Sequence, residues 1–172
     1  IPFRNIMNEW YARDTSKKIK SVFKAKGLSG KRTMSNVCYG YLKSTEDKTK
    51  WIVDEEAAAI VRRIFEMTLD GKGPYQIAKI LQAEKVLIPS AHLAKHKQGV
   101  NHTKTFKDIY GWSSSTVVSI LTKREYLGHT VNFKTQKHFK DKKSHYVSQD
   151  NWLVFENTHE PIISQELFDN VQ

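Results

Sequence analysis

From Asp54 to Gly71 the apolar positions Ile60, Val61, Ile64, Phe65 and Leu69 share one helical face, as in a helix buried along one side. Asp54 stands at its cap, Glu55 and Glu56 complement its positive end, and Gly71 sits where a left-handed terminator is expected. Gly73-Pro74 opens a second helix, with proline at the first position and Ile77, Ile80 and Leu81 facing inward. Two short helices joined by a tight glycine turn resemble the first part of a helix-turn-helix. Asn5 to Lys26 contains no glycine or proline and also predicts a helix, but its apolar residues form two patches rather than one stripe. Ile6, Met7, Trp10 and Tyr11 make the first patch and Ile19, Val22 and Phe23 the second, with a wholly polar run from Arg13 to Lys18 between them. Such a helix packs against different things at its two ends.

Elsewhere the pattern shortens. Tyr39-Gly40-Tyr41-Leu42 and Trp51-Ile52-Val53 flank a charged tip and predict a hairpin. Gly27 to Ser35 is a breaker-rich, basic linker suited to an extended arm, and arms of this kind can follow a minor groove. Val86 to Gly111 has poor periodicity and reads as a long basic loop. Trp112 to Arg124 predicts a helix with three serines and a threonine at its start. Val117, Ile120 and Leu121 are its apolar stripe, and Ser115, Ser119, Thr122 and Lys123 its outer face. Thr130 to Phe133 and Trp152 to Phe155 predict two antiparallel strands around a basic excursion, Lys134 to Lys143. Ser164 caps a last acidic helix from Gln165. The fold class that follows is α+β, mainly α: a long first helix, then a mixed helical domain with helix-turn-helix-like helices and a small antiparallel sheet.

Charge changes the picture. The net charge is +10, and it is unevenly placed. Residues 1–53 hold twelve lysines and arginines against four acids, and residues 91–147 hold eleven against three. Residues 54–90 are close to neutral, and the last 25 residues carry five acids and no lysine or arginine. A protein charged only for solubility would intersperse its signs, so an anionic partner is implied, and nucleic acid is the usual one, here expected to be double-stranded DNA. Lys17, Lys20, Lys24, Lys31 and Arg32 are the expected phosphate contacts. The helix from Ser113 to Lys123 presents small hydroxyls that allow close approach to base edges, so Ser114, Ser115, Ser119 and Lys123 are the expected base-edge or near-base contacts, and Ser113 and Arg124 are further expected DNA-binding residues. The plain alternative is a capped surface helix with ordinary polar filling. No apolar run reaches membrane-spanning length, and the start lacks the form of a signal peptide. A single cysteine, Cys38, forms no internal disulfide and fits a reducing, cytoplasmic home. The missing initiator methionine points to a fragment of a longer chain.

Catalytic chemistry is hard to find. No serine, histidine and acid or paired carboxylates stand together, so no catalytic residue and no cofactor are expected. His92 and His96 are spaced to share a metal on a helix, but no carboxylate or thiolate lies nearby in sequence, so no metal site is expected either. His159-Glu160 precedes a helix and is assigned to packing. An RNA-binding reading requires exposed aromatics for stacking, and Tyr39, Tyr41 and Trp51 are better placed to close a small core.

Together these residues resemble the middle of a large serine recombinase of the transposase and integrase group. The resemblance rests on the run from Asn8 to Ile19, Tyr39-Gly40-Tyr41, Asp54-Glu55-Glu56-Ala57 through Phe65, and Gly71 with Ile77-Ala78 and Leu81. It continues through Trp112, Thr116-Val117, Ile120-Leu121, Tyr126-Leu127-Gly128 and His159-Glu160-Pro161-Ile162-Ile163. No single motif decides it; their order and spacing do. It implies that residues 1–30 are the long helix leaving a catalytic domain absent from this chain, residues 31–53 a basic arm and hairpin, and residues 54–172 a DNA-binding domain. It implies a parent DNA recombinase, bacterial or phage-encoded, that works on attachment or transposon-end half-sites and assembles as dimers and tetramers on DNA. Tyr11-Ala12-Arg13-Asp14-Thr15-Ser16 imitates the family's active-site pattern, but the spacing is wrong by one and the setting is helical, so Ser16 is given no catalytic role. An alternative keeps the chain as an assembly module, with Ile6, Trp10 and Tyr11 pairing subunits and only non-specific affinity for DNA.

Overall fold

The computed structural model describes residues 2–100 and 102–172. The elements run α1 (Pro2–Leu28), β1 (Tyr41–Lys43), β2 (Trp51–Val53), α2 (Glu55–Leu69), α3 (Pro74–Ala83), α4 (Pro89–Lys95) and α5 (Ser114–Leu121). They continue with β3 (Thr130–Asn132), β4 (Thr135–Gln136), β5 (His145–Tyr146), β6 (Leu153–Phe155) and α6 (Gln165–Val171). The chain divides into two compact units, and each is discontinuous in sequence. One holds the chain up to Ser35 with Thr130–Phe155, and the other holds Asn36–His129 with Glu156–Gln172. The mainly α character with small antiparallel pairs is the class the sequence predicts.

The larger unit is built around α2. Ala57, Ala58, Val61, Ile64, Phe65 and Met67 are its buried face, and the valine, isoleucine, phenylalanine and methionine side chains contribute about 1.5–3 kcal/mol each when fully buried. α2 packs on α3, α5 and α6, and α3 packs on α5. The hairpin closes one side in antiparallel register, Tyr41 opposite Val53 and Lys43 opposite Trp51. Tyr39, Tyr41 and Trp51 are buried, so the hairpin aromatics close a core and are not free to stack bases. The Tyr41 hydroxyl, which is deeply buried, donates to the Glu160 carbonyl at 2.7 Å, and His159 Nε2 lies 2.8 Å from the Glu125 carbonyl. His159 also meets the Tyr41 ring edge-on at 4.8 Å, which is the packing role expected of it. After the turn at Arg124–Leu127, Gly128 adopts φ +85°, and a Cβ there would lie 2.5 Å from the His159 carbonyl oxygen. Only glycine fits that turn. Residues 86–111 are less irregular than the sequence predicts, because Pro89 opens α4 and the Ile88 amide bonds the Ile109 carbonyl at 2.8 Å. The miss arises because α4 is two turns long and too short to show a period.

The smaller unit contains α1, the arm and two strand pairs. β3 pairs with β6 in antiparallel register, Thr130 opposite Phe155, as the sequence predicts, and β4 with β5. Asn132, 1% exposed, is the hub. Its amide nitrogen donates to the Gly27 and Lys31 carbonyls at 3.1 and 2.9 Å. Its side-chain oxygen accepts from the Thr33 amide and hydroxyl at 3.1 and 3.0 Å. One side chain thus ties the end of α1 and the arm to β3. Gly27 is the only buried residue of α1, and a Cβ there would meet the Phe133 ring at 2.2 Å.

Candidate nucleic-acid interface

α5 is short, so its start decides its stability. Ser113 takes the N-cap with extended backbone, and its Oγ accepts from the Thr116 amide at 3.3 Å. The same Oγ lies 2.9 Å from the hydroxyls of Ser115 and Thr116, so the helix begins in a small hydroxyl cluster. Val117, Ile120 and Leu121 are buried as the periodicity predicts. Ser113, Ser114, Ser115, Ser119 and Thr122 are exposed. Lys123 is half-buried and folds back: its ammonium donates to Ser119 Oγ at 2.8 Å and to the Ser119 carbonyl at 3.3 Å. Arg124 is exposed just beyond the helix. Val118, 45% exposed, shares the outward surface and is the residue that the hydroxyl-centred reading passed over. Its signal was present in the sequence, because Val118 lies off the stripe formed by Val117, Ile120 and Leu121. Between Tyr41 and Phe65 the Tyr126 phenol is fully buried, and burial, followed by the neighbouring Cys38 and Glu125, pushes its pKa well above the usual value.

In the smaller unit Lys17, Lys20, Lys24 and Lys31 are exposed, and Arg32 is half-buried. α1 is a single helix through Ser16, with ion pairs one turn apart at Arg13–Glu9 (3.1 Å) and Lys18–Asp14 (2.8 Å). The chain between β3 and β6 comes back beside this helix. Lys17 and Lys20 line one hollow with His138 and Lys140, Lys20 and Lys24 line a second with Lys137 and His138, and the Arg13 guanidinium lies 5.9 Å from the centre of the Phe139 ring. The basic excursion and the basic half of α1 therefore form one cationic surface, although more than a hundred residues separate them in sequence. Sequence reasoning found the two halves but not their juxtaposition. Ile6, Trp10 and Tyr11 are 64%, 61% and 69% exposed.

Among the described residues, one group has the composition of a metal site. Asp54, His92 and His96 bring their ligand atoms within 4.8 Å of one another. This corrects two expectations. Asp54 sits at the N-cap of α2 but makes no side-chain cap bond; its carboxylate turns instead to His92 Nε2, 2.6 Å away. The histidine pair does have a carboxylate beside it, supplied from 38 residues upstream by the tertiary fold.

No described helix is long and apolar enough to cross a membrane. No curated protein matches the chain. Among solved structures the chain is similar, at 21% identity and a TM-score of 0.40, to a chain in a crystal structure of an LSR–DNA complex. The match covers 92% of this chain and 37% of that one, so this chain spans little more than a third of that length. The family model described as Recombinase matches residues 55–172, a span that takes in α2 to α6 and the whole of the serine-rich helix, and the chain belongs to that family.

Proposed function

We propose that this chain is the DNA-binding part of a site-specific serine recombinase and that it contacts an attachment-site or transposon-end half-site. One observation carries the reading: α5, inside the segment that matches the Recombinase family, turns a hydroxyl-rich face and a capped N-terminus to solvent. Ser114, Ser115 and Ser119 are short enough for a helix to lie against base edges, and Val118 offers an apolar contact suited to a thymine methyl. Lys123 and Arg124 serve phosphates or bases at the far end of the helix. The α1 lysines, Lys31 and Arg32 supply backbone affinity, joined by Lys137 and Lys140 of the excursion. Strand cleavage and rejoining belong to the parent recombinase rather than to any residue described here.

A specific observation favours a second role beside the first. Phe3, Ile6, Met7, Trp10 and Tyr11 form an exposed apolar patch on α1, more than isolated surface residues require. We assign it to self-association of the parent on DNA.

The experiment compares Lys20→Gln with Ser115→Ala on cognate and random duplexes over a salt series. Lys20→Gln weakens binding to both and lowers the salt slope by about one unit. Ser115→Ala costs about 1–3 kcal/mol on the cognate site and little on random DNA. Equal losses on the two DNAs for Ser115→Ala overturn the base-reading assignment.

A further inference from the structure

We infer that Asp54, His92 and His96 form a binding site for a divalent transition metal of the zinc type, one that fastens α4 to the start of α2. This inference is independent of the DNA-binding reading.

Three observations carry it. The first is the direction of Asp54. An aspartate at an N-cap ordinarily accepts a backbone amide of its own helix. Asp54 forgoes that bond and aims Oδ2 at two imidazoles, 2.6 Å from His92 Nε2 and 3.9 Å from His96 Nε2. The second is His96 itself. Its Nε2 is a buried ring nitrogen with no hydrogen-bond partner among the described residues, although the nitrogen faces a carboxylate. Buried polar atoms normally find partners, and a nitrogen held just beyond hydrogen-bond reach of an acid is placed as a ligand would be. The third is spacing. Zinc bonds to imidazole nitrogen and carboxylate oxygen are about 2.0 Å, which puts tetrahedral ligand atoms about 3.3 Å apart. The Asp54 separations of 2.6 and 3.9 Å bracket that value and all three ligand atoms lie within 4.8 Å of one another, so side-chain adjustment without backbone rearrangement brings them around one ion.

The surroundings suit the assignment. His92 and His96 lie one helical turn apart, with ring centres 5.0 Å apart. Tyr39 meets the His92 ring edge-on at 5.5 Å and fixes its plane. The side chains of His92 and Asp54 are 3% and 8% exposed, and that of His96 is 31% exposed, so metal and a fourth ligand from solvent reach the site from the His96 side. Two imidazoles and one carboxylate suit zinc and its neighbours better than magnesium or calcium, which take mainly oxygen ligands. A metal bonds to imidazole through the ring nitrogen's lone pair, so at His92 Nε2 it takes the place of the contact with Asp54. No reaction is assigned to the site. Its effect is to hold α4, and with it the basic stretch carrying Lys95 and Lys97, on the α2 N-terminus.

The test treats the purified chain with chelator, removes the chelator, and titrates it with Co2+ without DNA, followed by competition with Zn2+. The expected result is one Co2+ per chain with the visible absorption of a low-symmetry, four- or five-coordinate site, displaced by Zn2+. His96→Gln is the primary variant, because His96 Nε2 makes no hydrogen bond whose loss would unfold the chain. It should keep the thermal midpoint of the metal-free chain and weaken Co2+ binding by at least about tenfold, the lower end of what even outer ligand partners are worth. Asp54→Asn should abolish the visible bands. No stoichiometric Co2+ binding by the parent chain overturns the inference, and so does binding that is unchanged in His96→Gln.

Discussion

α1 and α2 draw on the same apolar residue types and use them in opposite ways. α2 places six residues in the core along 15 positions, whereas α1 buries only Gly27 along 27. Phe3, Ile6, Trp10 and Val22 on α1 are each more than 60% exposed, while Ile64 and Phe65 on α2 are fully buried. Periodicity, not hydrophobic content, separates the two. A continuous stripe builds a core, while two patches around a polar run leave a helix whose apolar side chains stay largely exposed. What holds the end of α1 in place comes from β3 and the residue after it: Asn132 donates to the Gly27 carbonyl and the Phe133 ring fills the space above that glycine. The core helix stabilises the chain, and the long helix presents lysines and an apolar patch outward.

Phe65→Ala removes the most deeply buried ring of α2. It should cost about 3–5 kcal/mol in denaturant unfolding, since the ring is fully buried and a cavity remains. Raising the pH comes next. Burial first, then the nearby acids Asp54 and Glu56, holds the Tyr39 phenol far above its ordinary range, and Tyr126 is shifted the same way. Both raised values favour the folded state below the pKa of an unfolded tyrosine. That stability is lost as the pH climbs past about 10 and through the folded values, so alkaline titration by circular dichroism should show unfolding there. Asn132→Ala leaves the Gly27 and Lys31 carbonyls and the Thr33 amide without their side-chain partner and should cost about 1–3 kcal/mol. Faster amide exchange at Thr33 is the sharper readout. Ser113→Ala removes the α5 cap and should cost about 1 kcal/mol by thermal unfolding. Trp10→Ala is expected to change stability by no more than about 0.5 kcal/mol, since the ring is exposed, while weakening self-association in sedimentation. A loss for Trp10→Ala as large as that for Phe65→Ala would erase the distinction between the helices.

Much of this was legible in the sequence, because regular elements follow local rules. The α2 stripe over Val61, Ile64 and Phe65, the Pro74 helix start, the Ser113 and Ser164 caps, and the Tyr41–Val53 and Thr130–Phe155 strand pairs all follow from spacing and cap chemistry, whereas Leu69, expected on the same buried stripe, is 50% exposed at the end of the helix. The parts that were not legible are long-range. Nothing near His92 and His96 in sequence announces Asp54, and the approach of the excursion to the α1 lysines depends on the β3–β6 pairing. Asn132 looks like an ordinary strand residue until the arm folds over it. The outward face of α5 was readable as polar, but the Lys123–Ser119 bond that part of it makes with itself was not.

The central claim is that α5 reads sequence while the basic groove and arm supply affinity. Selection from a pool of random duplexes, sequenced after binding at two salt concentrations, tests it most directly. Enrichment of a defined half-site that persists at the higher salt and is lost in Ser115→Ala is expected. Tight binding at low salt alone, with no enriched sequence, would contradict it and leave the chain with backbone affinity only.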